Sequence, residues 1–347
     1  MLSRENFTLE HIKTVRDTRK IDPSILERSI YALGLLEALV KVEMPFIFKG
    51  GTSLMLLTDK PKRLSTDIDI IVAPGTDISS YIEKASEIYP FTSVTEDVRK
   101  ARGKIVKSHY KFTFFSEQKN SNLEILLDVL FDNSHYSKIV EREIKTDILV
   151  SEEPYLKVRM PSAGCILGDK LTAFAPHTTG IPLGIGKELE IIKQLFDVAT
   201  LSDIADDSDD IRNSFLQTVQ AELYYRELNL TYEDVLKDTI DTAICIASRG
   251  SINEEEYRSY LEGIKGLSNH VYDEKFGGEQ AATMACRIIY IAACLLTGNT
   301  IRKIGDYKPY LMINLGNTRF SKLSYFRKTK PEALAYVAEA AKLLGEI

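Results

Sequence analysis

Two aspartates one residue apart, Asp67-Ile68-Asp69, open an apolar run that continues through Ile70-Ile71-Val72. Successive strand residues point to opposite faces, so this spacing sets Asp67 and Asp69 on one face and Ile68 and Ile70 on the other. Two carboxylates that close repel each other unless a cation sits between them. Just upstream, Pro45-Phe46-Ile47-Phe48-Lys49 is a short apolar run that ends in Gly50-Gly51, and Thr52-Ser53-Leu54-Met55-Leu56-Leu57 follows with helical character. Strand, tight turn and helix in that order let backbone amides approach a ligand with no Cβ in the way, at a helix start that favours anionic oxygens. A triphosphate fits such a turn. Mg²⁺ is the default ion for an all-oxygen site beside it, with Mn²⁺ as the alternative.

A glycine pair or an Asp-x-Asp strand end alone is most often a plain turn or a solvated cap. Their conjunction with a third carboxylate is what points to a metal site. In Leu123-Glu124-Ile125-Leu126-Leu127-Asp128-Val129-Leu130-Phe131, Asp128 is the charge at the centre of an apolar run, where an unpartnered aspartate is costly. A strand beside the first brings Asp128 to the same ions, so that two metals are expected, held by Asp67, Asp69 and Asp128. Glu124 has the same parity and is the reserve choice.

The segments Phe48–Leu54, Arg63–Asp69, Gly168–Phe174 and Lys193–Asp197 resemble the motifs of the AbiEii/AbiGii family of type IV toxin nucleotidyltransferases, of the polymerase-β-like superfamily, across residues 45–200. The resemblance assigns nucleotide binding to Gly50, Gly51, Thr52 and Ser53, phosphate proximity to Ser65, and metal binding to Asp67 and Asp69. It gives Lys170 a contact with the triphosphate, and Asp197 the task of orienting that lysine or the acceptor. The family's last motif often carries Lys-Asp before its final aspartate, whereas this chain has Lys193-Gln194. Taken without the resemblance, Lys170 reads as a surface lysine of an amphipathic helix, and Asp197 as the i+4 ion-pair partner of Lys193. His177 reads as a loop or packing histidine, at the head of a glycine-rich stretch to Gly186 that suits a lid.

The implied reaction moves a nucleoside monophosphate from an NTP to an RNA acceptor, the tRNA 3′ end, and inhibits translation. A neighbouring antitoxin is also implied, one that need not bind the toxin. Three rivals use overlapping parts: an antibiotic- or small-molecule-modifying nucleotidyltransferase, a phosphotransferase that moves the γ-phosphate, and a non-catalytic nucleotide- or RNA-binding module.

Composition fits a cytoplasmic enzyme of two lobes. The 347 residues are 44% apolar and 27% charged. Cys165, Cys245, Cys286 and Cys294 have no disulfide or zinc spacing, which implies a reducing compartment. The N-terminus reads as lacking a signal peptide, and the longest unbroken apolar run, Ile288 to Leu296, is too short to span a bilayer, so no membrane partner is expected. The expected fold is α+β. A small mixed sheet with strands near 46–49, 67–73, 92–99, 105–115, 122–131 and 155–159 forms a nucleotidyltransferase core over residues 1–160, flanked by a helix from Asp22 to Val42 and another near 78–88. A mostly helical lobe follows over 161–347, with helices at 161–175, 187–202, 208–227, 231–249, 254–265, 279–297 and 331–345. Lys170 and Asp197 are expected to complete an active-site cleft from that lobe.

The net charge of −6 argues against a protein that coats nucleic acid generally. Residues 299–330 nevertheless hold eight cationic side chains against Asp306 alone, with Tyr307, Tyr310, Phe320, Tyr325 and Phe326 interleaved. A second basic cluster is Arg99, Lys100, Arg102, Lys104 and Lys107. Local basic surfaces with aromatics suit a folded RNA gripped at a few phosphates.

Overall fold

Thr8 opens the first helix, α1 (Leu9–Arg19), by accepting the His11 N–H on its hydroxyl. Asp22 opens the second, α2 (Pro23–Lys41): its carboxylate accepts the Ser24 and Ile25 amides, and Pro23 fills a first-turn position that needs no N–H. The chain then lays down β1 (Ile47–Lys49), the short helix α3 (Gly50–Ser53), β2 (Ile68–Val72), α4 (Ser79–Ser86), β3 (Phe91–Glu96), β4 (Val106–Ser116), β5 (Ser121–Phe131), β6 (Ile139–Glu143) and β7 (Lys157–Pro161). The computed structural model describes residues 1–98, 106–272 and 274–347.

Among the described residues a five-stranded mixed sheet runs in the order β1-β2-β5-β4-β3, and β6 pairs with β7 separately. Only the β2–β5 pairing of the large sheet is parallel. Phe48, Ile68, Ile70, Leu127, Val129, Phe112 and Phe114 are buried on one face, and Tyr31 of α2 stacks on Phe114 with ring centroids 3.7 Å apart. Glu27 is buried in the same layer because Ser116 Oγ and Gln118 Nε2 both donate to its carboxylate. The strand alternation predicts this face correctly. It misses α1, whose apolar face is narrow, and β6, whose last three residues are all exposed and show no alternation.

The chain divides into two compact units, residues 1–162 with 269–274, and residues 163–268 with 275–347. The excursion to 269–274 was not expected from the sequence. It joins the first unit because the Leu64 N–H donates to the His270 carbonyl at 2.9 Å and Arg63 bridges Val271.

The second unit is helical: α5 (Ala163–Ala173), α6 (Glu188–Leu201), α7 (Ser208–Arg226), α8 (Tyr232–Ala247), α9 (Glu254–Leu267), α10 (Gly278–Thr297), α11 (Phe326–Thr329) and α12 (Pro331–Leu343). At its centre lies α10, packed by α6, α8 and α12. By length and composition alone α10 could cross a bilayer, yet 67% of its most apolar window is buried inside the protein. Cys286 and Cys294 are small core residues of that helix, and burial pushes the Cys294 thiol up to about 11.

Helix α5 lies close against α7, and Gly168 is what allows the approach. A Cβ there would stand 2.5 Å from the Ile211 carbonyl oxygen and 2.7 Å from the Phe215 nitrogen, both backbone atoms that cannot turn aside. Gly168→Ala is therefore expected to cost about 1–3 kcal/mol, as overpacked cores do, measured as a lowered midpoint in urea. An unchanged midpoint would show that α5 and α7 separate freely.

Candidate active site

The site in the first unit is set by one turn and one register. At the turn, Gly50 has φ +78°, a left-handed conformation that favours glycine. A Cβ on Gly50 would lie 2.0 Å from Asp69 Oδ2, so the Asp69 carboxylate occupies the space a side chain would take. A Cβ on Gly51 would lie 2.8 Å from a terminal guanidinium nitrogen of Arg63 and 2.9 Å from Ser65 Oγ. Both glycines thus sit under polar groups from the Arg63–Asp69 segment. Thr52 and Ser53 are buried and fasten the turn, as Thr52 Oγ1 donates to the Asp67 carbonyl and Ser53 Oγ donates to the Gly50 carbonyl at 2.8 Å.

The register then carries charge across the sheet. Lys49 of β1 is opposite Asp69 of β2, Asp69 is beside Asp128 of β5, and Asp128 is opposite His109 of β4. In-register neighbours project to the same face, so four ionisable side chains form a transverse row opposite the buried Phe48, Ile70, Leu127 and Phe112. His109 Nδ1 lies 2.6 Å from Asp128 Oδ1, and these side chains are 15% and 38% exposed. Strand β2 begins at Ile68, which leaves Asp67 exposed one residue ahead of the strand rather than within it.

The donor set fits a hard divalent cation. Asp69 and Asp128 offer carboxylate oxygens from adjacent strands, beside a cradle that a Cβ at Gly50 would fill. Among the described residues no three His, Cys, Asp or Glu side chains form a complete cage. Mg²⁺ does not require one, since it is usually held by one or two carboxylates together with substrate phosphates.

In the second unit Lys170 Nζ lies 3.1 Å from Asp197 Oδ2, and both residues are buried. Asp197 is not the partner of Lys193, which pairs instead with Glu190 at 2.8 Å. His177 is a loop anchor. Asp238 accepts its backbone amide at 2.9 Å and the Thr178 hydroxyl at 2.8 Å, and lies 2.8 Å from its Nδ1.

In the basic segment, Phe320 and Phe326 are core residues, and Tyr325 stacks on Phe326 while its hydroxyl donates to the Ala247 carbonyl. Phe320 and Phe326 do not offer free faces to bases, whereas Tyr325 is 38% exposed and Tyr307 and Tyr310 are partly exposed. Arg99, Lys100, Arg102 and Lys104 lie outside the described residues, and Lys107 is exposed on β4. Three groups at the first-unit site had no role in the sequence reading: Lys49, Arg63 and His109. The alternation of β4 sets His109 and Lys111 opposite Phe112 and Phe114, but only the pairing register brings His109 to Asp128.

Gly50→Ala and Gly75→Ala separate backbone strain from collision with Asp69. Both positions have a left-handed φ, but a Cβ at Gly75 would meet nothing within 4 Å. The left-handed backbone alone should cost about 1–2 kcal/mol in each, and at Gly50 the collision with Asp69 adds to it. In thermal melts with Mg²⁺ and mixed nucleoside triphosphates, Gly75→Ala should keep the ligand-induced rise in Tm and Gly50→Ala should lose it. Equal behaviour would dissociate the turn from ligand binding.

The family model for the AbiEii toxin nucleotidyl transferases of type IV toxin–antitoxin systems matches residues 34–275. Two solved structures from Helicobacter pylori are similar: JHP933, at 14% identity and TM-score 0.45, covering 78% of this chain and 93% of that one, and a chain described as a candidate nucleotidyltransferase, at 16% identity and TM-score 0.46, covering 78% and 96%. No curated protein matches the chain. The family match spans most of the sequence and contains the glycine turn, all three aspartates and the Lys170–Asp197 pair, so the chain belongs to the AbiEii nucleotidyl transferase toxin family.

Proposed function

We propose that this toxin transfers a nucleoside monophosphate from an NTP to the 3′ end of a tRNA and thereby stops translation. The observation that carries the reading is the placement of Asp69 beside Asp128 next to the Gly50 turn. Asp67, Asp69 and Asp128 would hold Mg²⁺, or Mn²⁺, as two ions. Bound there, the metal would supply Lewis acidity and charge neutralisation to the phosphate oxygens. Gly50, Gly51, Thr52, Ser53 and Ser65 form the phosphate-facing turn. Asp128 takes the proton of the acceptor hydroxyl, the acceptor oxygen bonds to the α-phosphorus, and the α–β bridging bond breaks. Lys170, fixed by Asp197, is assigned to the triphosphate as its cation.

For the acceptor, charge in the second unit supports RNA. Arg302, Lys308, Lys322 and Lys328 are exposed, and none makes an ion pair with a carboxylate among the described residues. Arg319 and Lys330 are partly neutralised by Glu346 and Glu279. Free surface cations release counterions on binding phosphates and so supply sequence-independent affinity. A cognate antitoxin follows from the family's type IV system.

Incubation with each α-labelled NTP, Mg²⁺ and total RNA should label a tRNA-sized band, and EDTA or Asp69→Asn should abolish it. Label transferred only from the γ-position would identify a phosphotransferase instead, and no label from any nucleotide would overturn the proposal. Replacing Arg302, Lys308, Lys322 and Lys328 together with glutamate should cut RNA labelling roughly tenfold or more at moderate salt. Undiminished labelling would place the acceptor elsewhere.

A further inference from the structure

Asp128 has a neighbour on each side along the charged row. On the parallel side stands Asp69, another carboxylate, which repels it. On the antiparallel side stands His109, whose Nδ1 is 2.6 Å from Asp128 Oδ1. Among the described residues no other hydrogen bond or ion pair restrains Asp128, and its side chain is 38% exposed. Without the imidazole, the carboxylate would be free to turn away from Asp69 toward water.

We infer that His109 is a positioning residue for the reaction, donating Nδ1–H to Asp128 Oδ1 and fixing the carboxylate so that its other oxygen serves substrate and cation. An ionised carboxylate only accepts, so the hydrogen lies on Nδ1 whether or not Nε2 is also protonated. Directly opposed residues of an antiparallel pair have Cβ atoms about 4.5–5.5 Å apart, a span that a histidine ring bridges with two side-chain torsions. Hydrogen-bond partners that orient metal-binding groups are typically worth tenfold to a hundredfold in affinity or rate. The inference rests on the nucleotidyl-transfer reading for its catalytic meaning, while the hydrogen bond itself can be tested without turnover.

Two variants and one spectrum decide it. His109→Phe keeps a ring and removes the donor, whereas His109→Asn places an amide nitrogen where Nδ1 was. With NTP and RNA, His109→Phe should lower kcat about 10- to 100-fold with little change in KM for the nucleotide. Mn²⁺ affinity, read by electron paramagnetic resonance with a non-reactive NTP analogue, should fall by a similar factor. His109→Asn should recover both to within a few-fold of wild type. Wild-type kcat and Mn²⁺ affinity in His109→Phe would overturn the inference, and so would an Asn variant that folds yet is as defective as Phe. If wild type transfers no nucleotide but Mn²⁺ affinity still depends on the donor, the reaction assignment fails and the positioning role stands. Should His109→Phe not fold, nitrogen NMR of the wild-type imidazole decides: a protonated Nδ1 that loses its downfield shift in Asp128→Leu supports the bond, and a bare Nδ1 overturns it.

Discussion

The parallel pairing of β2 with β5 places Asp69 beside Asp128, and the rest of the site depends on that register. Side chains alternate with period two, so a slip of one residue in either strand would drive its aspartate into the layer that buries Ile68, Ile70, Leu127 and Val129. Burying an unpartnered carboxylate there costs far more than the slip could return. The apolar face under α2 therefore enforces the polar geometry on the other face, and fold and site have one cause. The ends of the row reinforce it, with Lys49 opposite one carboxylate and His109 opposite the other. Two adjacent anions in partly solvated surroundings are tolerated because a hydrogen-bond donor or a cation stands across from each.

Much of this was legible because it is local. The alternation in Ile68–Val72 and Leu123–Phe131, the cap at Asp22 and the glycines before Thr52 are written within a few residues each. What was not legible is pairing. His109 is one polar residue among several in β4, and nothing in a single sequence says which residue of β5 it will oppose. The i+4 rule likewise suggests Lys193 for Asp197, yet Asp197 is wholly buried and takes Lys170 from another helix, while Lys193 stays with Glu190. A short-range ion-pair rule fails where burial favours a partner that is also withdrawn from water. The aromatics of the basic segment mislead for a similar reason: Phe320 and Phe326 alternate with cations in sequence, but their rings fill the core while the charges stay outside.

The two glycines of the turn differ in kind, and the difference sets which charge stands against each. Gly50 is required twice over, by its left-handed backbone and by the Asp69 carboxylate against its Cα. Gly51 has no such backbone demand, and its missing Cβ makes room for Arg63 and Ser65. Arg63 is almost fully buried, with its guanidinium donating to the Leu64 carbonyl at 3.2 Å. A guanidinium cannot shed its charge on burial, so it must be compensated by dipoles and anions close by. One glycine therefore admits a carboxylate and the next admits a cation, within a single residue of chain. Charges of opposite sign thus stand against consecutive residues of one turn, each admitted by a missing Cβ.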